Sequence, residues 1–246
     1  LLIGKNNMGK QFTFINARII DPKVESETSE TLTINDGLIE KRDGGIKGKV
    51  IDCNGMCLAP GIIDIGVKVC EPGEKHKESF RSASNAAAIG GVTSLVTRPD
   101  TKPSIDNPEL LEFFKNRGKE FSKVRIFPTA SLTKKNNGKK MTEIGFLHEG
   151  GAVAFTDGFN SIPNTKTFHT ILKYASDFDT LIIGHPQDHF LTQGTSASSG
   201  VFASIKGLSS SPNIAEKIGI ERDTALVNNI NIRYHADQIT TKIGLD

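Results

Sequence analysis

Pro60–Gly73, PGIIDIGVKVCEPG, is the stretch that decides the fold. Ile62, Ile63, Ile65, Val67 and Val69 read as one buried β-strand, which runs straight into a Pro-Gly turn at Pro72-Gly73. Working outward, residues 78–89 (ESFRSASNAAAI) are Ala-rich and stop at Gly90-Gly91, the expected end of a helix. VTSLVT at 92–97 is the next strand. Asn107-Pro108 opens a second helix, with Asn as N-cap and Pro at the first helical position. Leu110, Leu111, Phe113 and Phe114 supply its buried face and Gly118 closes it. Further strands are expected at 124–128, 151–156, 180–184 and 230–235, and helices at 142–149, 165–176 and 212–228. Apolar strands separated by helices make parallel βαβ units, and strands covered on both faces favour a barrel over a sandwich.

Upstream of Pro60 the pattern changes. QFTFINARII (11–20) alternates and is rich in β-branched and aromatic residues, so it reads as strand, ended by Asp21-Pro22. Residues 31–35 and 49–53 read as two more strands, reached through turns at Asp36-Gly37 and Asp43-Gly44-Gly45. With no helical period in these residues, a small N-terminal β-sandwich segment over 1–57 precedes a main domain over 58–246.

The chain has 246 residues, 30 Lys+Arg and 28 Asp+Glu. Near-balanced charge argues against a general nucleic-acid or membrane-surface role. No apolar run approaches the roughly 20 residues that span a bilayer. Lys5, Asn6, Asn7 and Lys10 interrupt any secretory signal core, and Met8 reads as a natural start. The three cysteines, Cys53, Cys57 and Cys70, read as reduced thiols of a cytoplasmic protein.

The Pro60–Gly73 segment resembles P-G-x-x-D-x-H-x-H-x-R-E-P-G, the first barrel strand of the amidohydrolase superfamily and of the dihydroorotase family in particular. The frame is kept and the chemistry is changed. Gly66 and Lys68 stand at the two metal-binding histidines, and Cys70 at the substrate-gripping arginine. TRPDTKPSIDN (97–107) resembles M-P-N-T-x-P-x-x-D-N, with Arg98 for the methionine and Asp100 for the substrate-contacting asparagine. Arg98 or Lys102 would have to offset the charge of Asp100 for an anionic substrate to bind. GAVAFTDG (151–158) resembles G-A-V-A-F-S-D-D-G, and Asp157 matches an acid that can bridge metals. LIIGHPQD (181–188) resembles the H-x-E-D segment, with His185 at a ligand position, Gln187 for the glutamate and Asp188 kept. YHADQITT (234–241) resembles H-x-x-H-x-S-T, with His235 matching the first histidine and Gln238 at the ligand position. Glu216, Arg222 and Asp223, on the preceding helix, read as structural.

The resemblance implies an α/β fold, a (β/α)8 TIM-type barrel of the metal-dependent hydrolase kind, preceded by the small sandwich. About six of the eight strands such a barrel needs are counted, so the barrel reads as incomplete. In the family, zinc activates water to interconvert carbamoyl-aspartate and dihydroorotate in pyrimidine biosynthesis. Here only His185 and Asp157 remain as metal positions, and a catalytic zinc site normally has three protein ligands. Arg98 and Asp100 remain as candidate substrate-binding residues. The ammonium of Lys68 is expected to take the vacated metal position and to pair with a nearby carboxylate, because a buried charge needs a partner. Three readings follow. One is a dihydroorotase-like hydrolase with a degraded or rebuilt zinc site. Another is a non-catalytic homologue acting as scaffold for aspartate carbamoyltransferase. The third is a dihydropyrimidinase- or allantoinase-type enzyme, which the absence of a carbamylatable lysine near Asp157 disfavours. A homo-oligomer is expected in each case, with no nucleic-acid or membrane partner.

Overall fold

The computed structural model describes residues 11–42 and 45–245. Met8 and the Asp43-Gly44 part of the expected turn lie outside the described residues. The chain divides into two compact units. One holds the residues up to Ile63 with Ala86–Ser94, and the other holds Asp64–Asn85 with Leu95 onward.

In the first unit β1 (Gln11–Asp21), β2 (Ser26–Asn35), β3 (Leu38–Arg42), β4 (Lys49–Asp52) and β5 (Cys57–Leu58) form one sheet in the order β3-β2-β1-β4, with β5 also on β1. The described residues of the segment expected as a small β-sandwich form this one five-stranded sheet. β1 and β2 are antiparallel, and their register shifts between Phe14 and Ala17. Asn16 sits there at a φ of 55°, the extra residue of a bulge. Phe12, Phe14, Ala17, Ile19, Leu32 and Cys53 make the core of this unit. β3 and β5 were not expected from the sequence. β3 is reached from β2 through Asp36-Gly37, both at positive φ, the geometry of a tight hairpin turn.

β6 (Ile62–Val67), β7 (Val92–Thr97) and β8 (Arg125–Pro128) form a second sheet in that order. In the second unit Phe155 bridges in parallel to Ala130 on one side and to Ile182 on the other. β9 (Leu181–Gly184) then pairs in parallel with β12 (Arg233–Ala236). Strand positions therefore follow one another in chain order, as a βαβ pattern requires. The helices between them are α1 (Phe80–Ile89), α2 (Pro108–Phe121), α3 (Ile144–Glu149), α4 (Thr165–Ser176) and α7 (Ile214–Ile230). Between β9 and α7 lie the short elements α5 (His189–Thr192), β10 (Ala197–Ser198), α6 (Val201–Lys206) and β11 (Ser210–Ser211). α8 (Lys242–Leu245) is a single turn near the end.

Local chemistry explains the helices. Asn107 caps α2, accepting from Leu110 N at 2.9 Å, and Asn164 caps α4, accepting from Thr167 N at 3.0 Å. α4 buries Phe168, Ile171, Leu172 and Ala175, one face at helical spacing. These join Phe80, Phe114, Ile144, Leu147, Phe155 and Ile182 in the main core.

Four expectations need correction. The β6 isoleucines are not buried, since Ile62, Ile63 and Ile65 are 58, 64 and 56 % exposed. Among the described residues β6 is the outer strand of its sheet and pairs only with β7; burial begins at Val69. Gly118 does not end α2, which runs on to Phe121. The glycine lies inside the helix, where an added Cβ would stand 3.2 Å from Ile126. Phe113 is 45 % exposed, because only Leu111, Phe114 and Gly118 share the buried face. Residues 151–156 make isolated bridges and no regular strand, after Gly151 at a φ of 95° turns the chain.

Candidate functional site

The ends of β6 and β12 carry Gly66 and His235, and the loops that follow β6, β7, Phe155, β9 and β12 carry Lys68, Arg98, Asp100, Asp157, His185 and Gln238, all within the second unit. Ladder hydrogen bonds align the first two strand ends, with Arg98 N donating to Val67 O at 2.8 Å.

Lys68 and Asp100 meet here. The ammonium is 2.7 Å from Asp100 Oδ2, with the lysine side chain 41 % and the aspartate 16 % exposed. The expectation that Lys68 pairs with a carboxylate holds. Arg98 and Lys102, one of which would have to offset Asp100 for an anionic substrate to bind, both pair with other acids. Lys102 reaches Glu74 at 3.1 Å. Arg98, only 5 % exposed, reaches Asp237 Oδ2 at 3.1 Å and stacks on Phe159 with its charge centre 3.7 Å from the ring centroid.

His185 packs edge-on against the same Phe159 ring, 6.0 Å between centroids. Burial pushes its pKa down, and Arg98 adds to that against the opposing pull of Asp237, which favours the neutral imidazole. Its Nδ1 is buried with no hydrogen-bond partner. Asp157 is 2 % exposed, and both of its oxygens are occupied. Oδ1 accepts from Thr133 N at 2.8 Å, and Oδ2 accepts a short hydrogen bond from Thr133 Oγ1. Burial raises its pKa to about 6. Between these strand ends lies a cavity of about 20 Å³, lined by Gly66, Thr97, Arg98, Thr129, His235 and Asp237 among others. That is room for roughly one water molecule.

The remaining positions stay apart from this centre. Gln238 is exposed at a φ of 58° and Asp188 caps α5 through Phe190 N and Leu191 N. Glu216 accepts from the backbone of Thr240 and Thr241, and Asp223 accepts from Tyr234 Oη at 2.7 Å and from Arg222. Sequence reasoning did not single out Phe159, Asp237 or Thr133. An aspartate two residues after the matched His235, at a strand end, was the available signal for Asp237.

Zinc, which the sequence resemblance implies, does not fit this donor set. Among the described residues no group of three His, Cys, Asp or Glu side chains is placed to hold a metal ion. Each oxygen of Asp157 accepts from Thr133, and the ammonium of Lys68 takes Oδ2 of Asp100.

The family model described as Dihydro-orotase-like matches residues 55–244. The dihydroorotase-like protein of Pseudomonas putida is 35 % identical over 236 residues, 94 % of this chain and 56 % of that protein. The dihydroorotase of Bacillus subtilis is 37 % identical over 215 residues, 87 % of this chain and 49 % of that one. Among solved structures, the L-hydantoinase of Arthrobacter aurescens superposes with a TM-score of 0.76 at 19 % identity, covering 91 % of this chain and 51 % of its own. The chain thus spans about half the length of the relatives it matches.

Proposed function

The chain belongs to the dihydroorotase-like family of amidohydrolases, and from that premise we propose that it is a cyclic-amidohydrolase homologue of pyrimidine metabolism whose own metal chemistry is impaired or lost. The observation that carries this reading is the Lys68–Asp100 ion pair at 2.7 Å. A fixed cation repels divalent ions, and it takes one oxygen of Asp100, Oδ2. Arg98 on Asp237 adds a second cation already neutralised by a protein acid. Opening a cyclic amide calls for hydroxide, and water that is not held on a metal keeps a pKa near ~15.7 instead of about 7. Hydroxide is then scarce at neutral pH.

A second reading has support from the same pairs. A strand-end centre whose charges cancel internally is suited to holding shape, so the protein would act as a scaffold, binding aspartate carbamoyltransferase. The dihydropyrimidinase or allantoinase reading has less support, since no lysine lies near Asp157 in the sequence. On either leading reading residues 1–57 are an N-terminal segment and 58–246 a partial barrel, in a cytoplasmic homo-oligomer.

Metal analysis and dihydroorotate turnover test the proposal. We expect far less than one zinc per chain and no turnover with added metal. Near-stoichiometric zinc with turnover that a chelator abolishes would overturn it. Co-elution with aspartate carbamoyltransferase on a sizing column separates the scaffold from a merely inactive enzyme.

A further inference from the structure

We propose that the cavity lined by residues of α1, α2 and the loop after β6 binds a small phosphate ester. It measures about 350 Å³ and is lined by Glu71, Lys75, Ser79, Arg81, Arg117 and Phe121, all within the second unit. None of these residues belongs to the strand-end centre, and the proposal stands whether or not that centre is active.

The charges around this cavity do not cancel. Glu71 is 6 % exposed and committed, for it accepts from Arg117 Nε at 3.0 Å, from Arg117 Nη2 and from Phe80 N at 3.4 Å. Arg117 also lies 3.8 Å from Glu120. Arg81 and Lys75 have no such partner, since among the described residues no carboxylate stands within ion-pair distance of either. Two unit cations therefore face one concavity without a counter-charge, whereas at the strand ends every cation has its acid. A concave wall focuses that positive potential.

The geometry favours phosphate over a carboxylate. Phe121 holds both guanidinium groups, with the charge centre of Arg117 3.9 Å and that of Arg81 5.7 Å from its ring centroid. This limits where the Arg81 fork can go and lowers the cost of ordering it on binding. The lining supplies a planar fork, a point-charge ammonium and the Ser79 hydroxyl, three kinds of donor that the oxygens of a phosphate accept from. The unpaired charge of two matches that of a phosphate ester. A cavity of 350 Å³ lies in the size range of small-molecule sites and exceeds what a phosphate alone fills, so the ligand carries an organic group.

The test titrates the whole chain with inorganic phosphate, at ionic strength held constant with chloride, by calorimetry and thermal unfolding. We expect saturable heat and a rise in Tm that chloride does not give. The double variant Lys75→Gln/Arg81→Gln should weaken phosphate binding about ten-fold or more. It should leave the phosphate-free Tm unchanged, because both side chains are exposed. Arg81→Lys, which keeps charge and loses the fork, should bind with intermediate affinity. If the double variant loses its circular dichroism spectrum, Lys75→Gln alone on its loop replaces it. A response no different from chloride, or one that persists undiminished in the variant, overturns the proposal.

Discussion

Gly66 stands at φ +98°, with nothing within 4 Å of where a Cβ would be. Space for a side chain exists, but the backbone conformation does not suit one. A histidine at this position would carry about 1–3 kcal/mol of backbone strain. Gly66→His should therefore lower the unfolding free energy measured in urea by that amount, and Gly66→His/Lys68→His should not raise zinc uptake measured by atomic emission; unstrained folding with tight zinc would show that the strand end is freely convertible. The two ion pairs should also differ in weight. Lys68 is 41 % exposed, so Lys68→Ala should cost about 0–1 kcal/mol. Arg98 is 5 % exposed and its loss strands Asp237 at 17 % exposure, so Arg98→Ala should cost about 3–5 kcal/mol in chemical denaturation. Equal costs would contradict the burial difference. At this scale the sequence named Gly66, Lys68, Arg98, Asp100, Asp157 and His185 as site residues. It did not name which carboxylate Lys68 takes, because partner choice depends on which side chain reaches across strand ends, and spacing along the chain does not carry that.

At the scale of elements, the loop after β6 is tied to the loop after β7 by charge. Glu74 bonds Lys77 within its own loop at 2.5 Å and Lys102 across at 3.1 Å. Hydrogen bonds from Lys77 and Lys102 hold the Glu74 carboxyl down to about 2, from an ordinary value of 4.5. The folded state thus favours the ionised form. Its stabilisation is fully present above pH 4.5 and fades as pH falls through about 2. In a carboxyl-carbon NMR titration Glu74 should hold its charge well below the other glutamates, and Lys102→Gln should move its midpoint upward; an unmoved midpoint would mean the cross-loop contact is not made in solution. The polar face of α7 is a second element-scale feature. Glu216 and Asp223, seven residues apart, lie on its buried side with Ala215 and Gly219, and they hold the chain around Tyr234 and Thr240. An added Cβ at Gly219 would stand 2.5 Å from the backbone of Pro186 and Gln187, so the glycine sets how close this helix comes. Periodicity found α4 without error because its buried face is apolar. It placed α7 two residues early at each end because an acidic buried face has no apolar stripe to mark it.

Across the described residues as a whole, the outer position of β6 matters most. Three isoleucines that read as core are more than half exposed, on a strand that pairs with β7 alone among the described residues. Apolar outer strands promote edge-to-edge association. Ile63→Lys/Ile65→Lys should raise the soluble fraction on concentration while shifting stability by about 0.5 kcal/mol or less, the range of surface substitutions. A loss of several kcal/mol would mean that the strand is covered in solution. The residues by themselves determined the family, the order of strands and helices and the missing imidazoles, because each is a property of residue type at a position along the chain. Tertiary structure alone decided that Lys68 takes Asp100 and Arg98 takes Asp237, that Thr133 consumes Asp157, and that the isoleucines of β6 are exposed. Those outcomes depend on distances between segments up to 139 residues apart, and burial is set by neighbours that a residue's own identity does not supply.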